Sequence, residues 1–182
     1  MQPAIRPVER DWTDAAVVKA AIEAWEAASG IALPSDYRAF MLRYDGGRVY
    51  PLIFDYTIPL DRYPTSDPRP ATYLDPLYQW KMVADIWNGG IFSHRNPPGM
   101  LVIGCNPGGM EVLLSVQAPH FGQVFTWLHT LSPWGDPQND TCWHQADSFS
   151  DFMASLYENE SQDGYRYWYR PGLKHLQRPL VL

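Results

Sequence analysis

The chain has 182 residues, of which 46% are hydrophobic and 19% charged, and its formal net charge is −6. This length and composition are typical of one folded domain with its own core, and they exclude an intrinsically disordered chain. No apolar run approaches the roughly 20 residues that cross a bilayer, and residues 1–11 lack the apolar segment of a secretory signal, so we expect a cytoplasmic protein that does not bind membranes.

The charged residues are unevenly distributed along the chain. Residues 101–160 contain seven acidic side chains and no Lys or Arg, whereas residues 161–182 contain four basic side chains and one acidic side chain. An acidic stretch of this length repels phosphate backbones, which argues against nucleic acid as a partner, and it attracts a basic partner. The alternative is that the charge only maintains solubility, as in many acidic cytoplasmic proteins.

Two helical patterns open the chain. Residues 14–28 form the first, with Thr13 as the predicted N-cap. Its apolar stripe consists of Ala15, Val18, Ile22 and Trp25. The second pattern starts at Pro34 and is stopped by the turn residues at 45–47. Residues 48–58 then have the composition of β-strands.

Residues 59–76 are rich in proline and aspartate. This composition predicts an extended surface loop with a short strand near Tyr73. Long loops in compact domains often carry function, although some are simple insertions. A third helix is predicted over residues 76–88, where Trp and aliphatic residues recur on one face.

The clearest strand signal lies in the second half of the chain. Residues 100–105 form a continuous apolar run, which is typical of a strand buried on both faces. Turn residues at 106–109 and 118–122 separate it from two further strand patterns at 110–117 and 123–130. These three segments predict an antiparallel meander.

The remaining residues contain a loop, a helix and a tail. Residues 131–146 are polar and contain proline, which predicts a loop, and Ser148 caps a helix whose apolar stripe runs from 149 to 157. The aromatic and basic tail at 165–170 favours an edge strand over a stacking platform for single-stranded nucleic acid, because the 60 residues before it are acidic. The order of elements predicts a single α+β domain over residues 1–182, with helices packed on a mostly antiparallel sheet.

The sequence contains no recognisable catalytic motif. The glycine-rich segments at 45–47 and 106–109 both lead into strands, so they are turns and lack the helix that a phosphate-binding loop needs. Cys142 and His144 make one C-x-H pair, and Cys105 lies in a strand, so the ligand spacing of a zinc site is missing. Two cysteines are also too few for a disulfide framework, which agrees with a reducing cytoplasm. We therefore expect no catalytic residue, metal or cofactor.

Two sequence motifs, taken together in their order along the chain, resemble the pattern of a known family. Residues 33–40 read L-P-S-D-Y-R-A-F and are followed by D-G-G at 45–47. Residues 101–109 read L-V-I-G-C-N-P-G-G, and G-Q-V-F-T-W follows at 122–127. In this order and spacing they resemble the SMI/KNR cell-wall-regulator family of the SUKH superfamily. Asp45 stands where that family usually has Asn, and Met110 stands where an acidic residue often follows the Gly-Gly pair.

The resemblance implies a non-catalytic protein-binding domain, most of all a bacterial immunity protein that binds and neutralises a toxin domain. An intracellular regulatory scaffold that binds an endogenous enzyme or a cell-wall synthesis factor is the alternative, and an unrecognised enzyme is a third possibility. The expected partner is a protein, and the chain itself is expected to be a monomer or a homodimer. The two acidic loops are the predicted contact regions, through Asp61, Asp67, Asp75, Asp136 and Asp140.

Overall fold

A computed structural model describes residues 2–9, 11–63, 70–161 and 163–182. The helices are α1 (Ala15–Ser29), α2 (Ser35–Tyr44), α3 (Trp80–Trp87), α4 (Phe149–Ala154) and α5 (Asp163–Trp168). The strands are β1 (Ala4–Arg6), β2 (Arg48–Tyr50), β3 (Ile53–Asp55), β4 (Ala71–Tyr73), β5 (Met100–Cys105), β6 (Met110–Ser115), β7 (Val124–Leu128), β8 (Trp143–Ala146) and β9 (Arg178–Pro179). Within the described ranges, no helix has both the length and the apolar character needed to cross a membrane.

The first two helices form as their patterns predict, but the N-cap of α1 differs. Asp14, not Thr13, caps α1 by accepting a hydrogen bond from the Ala16 backbone N–H at 2.7 Å. The Thr13 hydroxyl instead donates to the carboxylate of Asp45, at 2.6 Å. Asp45 ends α2 in a left-handed conformation with φ of 50° and also accepts a hydrogen bond from the Trp80 backbone N–H. The turn after α2 therefore joins α1, α2 and α3.

Glycine is required in this turn. A Cβ atom on Gly46, which has φ of 76°, would lie 2.4 Å from the Tyr78 carbonyl oxygen. Gly47 exchanges two backbone hydrogen bonds with Leu77, the residue before Tyr78. The turn read from the sequence as a helix stop is thus also the place where the chain before α3 packs against α2.

The predicted meander is confirmed, and it has a fourth strand. The sheet has the order β5-β6-β7-β8, with antiparallel pairing throughout. The prediction of a loop over residues 131–146 was wrong for its last four residues, which form β8. Only a few residues pair with β7, so the short strand has too little length to show a periodic pattern in sequence.

Both faces of this sheet are covered. Leu101 and Ile103 lie in the main core, among apolar side chains of α1, α2, α3 and α4. Val102 faces the opposite side, in a smaller cluster with Phe92 and Trp127. Strand β5 is therefore buried on both faces, as its continuous apolar run predicts.

The tail was predicted as an edge strand, and this was wrong. Residues Asp163–Trp168 form α5 instead. The ring of Tyr165 packs against Tyr50 of β2 at a centroid distance of 5.3 Å, and Trp168 packs against the same ring at 5.6 Å. Tyr165 and Trp168 are three residues apart, which places them on one helical face, so the tertiary contact with Tyr50 overrides the β propensity of an aromatic segment. Strands β2, β1 and β9 form a separate three-stranded sheet beside α5.

Candidate functional site

The two loops predicted to bind a partner meet at one cleft. The cleft has a volume of about 160 Å³. Arg62 belongs to the first loop and Asp140 to the second, while Leu128 of β7 and Trp143 of β8 lie beneath them. The full lining consists of Arg62, Leu128, Thr130, Gln138, Asn139, Asp140, Thr141 and Trp143. Arg62 and Gln138, which are 76 residues apart in sequence, thus contribute to one surface on the edge of the main sheet.

The first loop is anchored by the hairpin turn between β5 and β6. The Tyr63 hydroxyl donates to the Gly108 carbonyl oxygen at 3.2 Å and accepts from the Asn106 side-chain amide at 3.0 Å. The oxygen of the same amide accepts the backbone N–H groups of Gly108 and Met110, so Asn106 shapes the turn as well. A Cβ atom on Gly108 would lie 2.2 Å from the Tyr63 hydroxyl, so only glycine allows this contact.

The second loop is anchored by Asn139, whose side chain is 3% exposed. Its amide nitrogen donates to the carbonyl oxygens of Arg95 and Ser132 at 2.8 and 2.9 Å. Its amide oxygen accepts the indole N–H of Trp127 at 2.7 Å. The hydrogen-bonding groups of this buried side chain are satisfied, and the loop is held on the sheet at a defined position.

The predicted contact residues have different positions. Asp61 and Asp140 are exposed, and Asp140 lines the cleft. Asp136 is half-buried and accepts the Gln138 backbone N–H at 2.9 Å within the second loop. Asp67 lies outside the described residues.

Asp75 lies inside the fold, at 8% exposure. Its carboxylate pairs with Arg48 and accepts a hydrogen bond from the Tyr167 hydroxyl at 2.6 Å. Both partners are contributed by other elements of the same chain. Asp75 is therefore not presented to a partner, and the candidate contact surface does not include it.

Sequence reasoning missed a buried polar cluster around Glu111, on the face of the sheet that carries Trp127. Glu111 is 4% exposed, accepts from the Tyr78 hydroxyl at 3.0 Å and lies 3.4 Å from His129 Nδ1. Burial raises the pKa of Glu111 to about 7, and burial lowers the pKa of His129 with a further contribution from Arg95. The one signal in the sequence is a single acidic residue inside an apolar strand.

The two cysteines are free and half-buried. Burial raises the pKa of the Cys105 thiol and raises that of Cys142 to about 12, so both are protonated thiols at neutral pH. Among the residues that the structure describes, no three His, Cys, Asp or Glu side chains are grouped so that they could hold a metal ion.

A second concavity lies between α1 and α3, with a volume of about 560 Å³. Its lining is mainly Ala, Val and Trp, and Val17 at its edge is 62% exposed. No residue of the two acidic loops lines it. The apolar groove and the polar cleft are therefore separate surfaces.

The antiparallel sheet, the helices packed on it and the loop-built cleft define an α+β domain with a polar surface site. The model of the SMI1/KNR4 family (SUKH-1) matches residues 17–155, and the chain belongs to this family, whose members are generally non-catalytic. A comparison with curated proteins found no match. The matched range contains the cleft and the main sheet, whereas β1, α5 and β9 lie outside it.

Proposed function

We propose that this chain is an immunity protein of the cytoplasm, which binds a toxin domain and neutralises it without catalysis. The observation that carries the proposal is the convergence of the two acidic loops at one cleft. Asp140 lines the cleft and Asp61 is exposed in the first loop, so acids outnumber the one basic residue of the lining, Arg62. Membership of the SMI1/KNR4 family supports a protein as the ligand.

The anchoring of both loops favours binding. Asn106 holds Tyr63 of the first loop and Asn139 holds the second loop through hydrogen bonds, so these described parts of the surface have little conformational freedom to lose when a partner docks. Exposed acids on such a surface increase the association rate of a basic partner. Many toxin domains that attack nucleic acids are basic, and an acidic surface over the active site of such a domain would exclude its substrate.

The test begins with capture of the partner from the native source, on the immobilised chain, followed by elution in high salt and mass spectrometry. The captured domain is then purified, and its toxicity is assayed with and without this protein. We expect a single partner with a toxic domain that loses its activity at stoichiometric ratio. A housekeeping enzyme or cell-wall synthesis factor that keeps its activity in the complex would contradict the proposal and support a regulatory scaffold.

Association kinetics test the role of the cleft. Asp140→Lys should slow association by about tenfold at low salt, because it reverses a charge on the docking surface. Asp85→Lys is the matched control, since Asp85 is an exposed acid on α3 that does not line the cleft. Equal effects of the two substitutions would show that net charge, rather than the cleft, steers the partner.

A further inference from the structure

Two arginines face each other across neighbouring strands, and neither of them lines the cleft. Arg6 of β1 and Arg48 of β2 are directly opposed in the antiparallel register, so their side chains leave the same face of the pair. Like charges in this position repel each other and destabilise the sheet. Such an arrangement calls for a compensating negative charge.

Arg6 is almost fully buried, at 5% exposure. Its Nε donates to the Trp168 carbonyl oxygen at 3.0 Å, and its guanidinium lies 6.0 Å from the centre of the Trp168 ring. Its two terminal nitrogens donate to no described residue. Burial lowers the pKa of Arg6 to about 10, with further contributions from Arg48 and Arg170, so the side chain remains charged at neutral pH.

Arg170 adds a third positive charge, because it donates to the Tyr167 carbonyl oxygen, next in the chain to the Trp168 carbonyl that Arg6 binds. It is exposed, and its hydrogen bonds to the carbonyl oxygens of Tyr167 and Tyr169 both come from Nη1. Its remaining nitrogens have no acceptor among the described residues.

The acid in contact with this group is Asp75, which Arg48 and the Tyr167 hydroxyl already share. Glu158 interacts with Tyr50, which lies on the same strand face as Arg48. Across the described part of the chain, the three arginines are thus compensated by one directly paired carboxylate.

We propose that Arg6, Arg48 and Arg170 form a binding site for an oxyanion of the phosphate class. The planar guanidinium fork matches the oxygens of such a group, and a buried arginine with unused donors is prepared for it before binding. Strand β1 and helix α5 both lie outside residues 17–155, so the site is built by the ends of this chain against the family domain.

Calorimetric titration with sodium phosphate, at an ionic strength held constant with sodium chloride, tests the proposal. We expect saturable binding with one site per chain and a rise in melting temperature that sodium chloride does not reproduce. Phosphoserine is titrated in parallel: binding of phosphate alone supports a free-anion site, and binding of both supports a site for phosphoryl groups.

Arg170→Gln should weaken phosphate binding by about tenfold, because it removes one of three charged donors. Arg170 is exposed, so this substitution leaves the fold intact. Arg166→Gln is the control, since Arg166 is in the same helix, is exposed and pairs with Asp163. No saturable binding of either anion, or equal losses in the two variants, would overturn the proposal, and neither result bears on toxin neutralisation at the cleft.

Discussion

Glu111 makes the stability of this protein depend on pH in an uncommon direction. Burial raises its pKa from 4.5 to about 7, so between these values the folded state holds a proton that the unfolded chain has lost. The stabilisation is complete below the unfolded pKa and is lost as the pH rises through the folded pKa. We expect this group alone to lower the free energy of unfolding by roughly 3 kcal/mol between pH 4.5 and pH 8, as measured by urea denaturation.

Glu111→Gln isolates this contribution. The lowered pKa of His129 makes stability rise with pH, which opposes the effect of Glu111. The quantity to measure is therefore the difference in the free energy of unfolding between wild type and variant. Glutamine keeps an oxygen that can accept from the Tyr78 hydroxyl, and we expect the variant to be the more stable protein at pH 8 but not at pH 4.5. Glu160→Gln, at an exposed position, is the control. A stability difference between wild type and Glu111→Gln that does not change with pH would contradict the raised pKa of Glu111.

Asn139 tests the anchoring of the acidic loop. Asn139→Asp keeps the size of the side chain but turns a donor into a charged acceptor that faces the carbonyl oxygens of Arg95 and Ser132. We expect a loss of roughly 3 kcal/mol in the free energy of unfolding, measured with urea at pH 7. Asn88→Asp, at an exposed position, should cost far less. Similar losses in both variants would mean that the hydrogen bonds of Asn139 do not hold the loop.

The sequence predicts the candidate site only in part, and the reason lies in the range of the interactions. The acidic composition of the loops marks Asp61 and Asp140 because exposure in a polar loop is a local property. Asp75 has the same local sequence character, yet its partners Arg48 and Tyr167 lie 27 and 92 residues away. No local pattern distinguishes a buried ion pair of this kind from a surface acid.

The helices and strands show the same difference between local sequence patterns and contacts with distant residues. Helices α1 and α2 are visible in the sequence because apolar residues recur at the helical period, and strands β5, β6 and β7 because they are apolar runs bounded by turn residues. Strand β1 is only three residues long and exists because it pairs with β2 and with β9, at the other end of the chain. Helix α5 depends likewise on the ring of Tyr50. Elements made by distant contacts are therefore the ones that sequence reasoning misses.

The attachment of α5 can be tested through Trp168, which is 3% exposed and donates its indole N–H to the Arg48 carbonyl oxygen at 2.7 Å. Trp168→Ala removes both the buried ring and the hydrogen bond, and we expect a loss of about 3–5 kcal/mol in the free energy of unfolding. Trp168→Phe keeps most of the apolar contact and should lose about 1 kcal/mol. Chemical denaturation measures both values. Equal losses would show that the hydrogen bond, rather than packing, attaches the helix.

The two proposed sites differ in the charges they carry. The cleft is lined by Asp140 and Arg62, with exposed Asp61 next to Arg62 in the sequence, whereas Arg6, Arg48 and Arg170 lie where β1 and the segment after α5 pack on β2. The net charge of −6 describes neither site. The two proposed sites share no residue, so we expect one chain to bind a basic protein partner and a small anion at the same time.

This separation predicts that the two binding reactions respond independently to substitution and to salt. Raising sodium chloride from about 0.05 M to about 0.5 M should slow association of the captured partner by about tenfold and change its dissociation little, because screening acts mainly on the encounter. Arg170→Gln should leave this association rate unchanged, and Asp140→Lys should leave phosphate affinity unchanged. Surface plasmon resonance measures the association rate and calorimetry measures the phosphate affinity. Both are applied to the same four proteins: wild type, both variants and Asp85→Lys. If Arg170→Gln altered partner association as strongly as Asp140→Lys, the partner would have to contact both sites, and the cleft would be only one part of a larger interface.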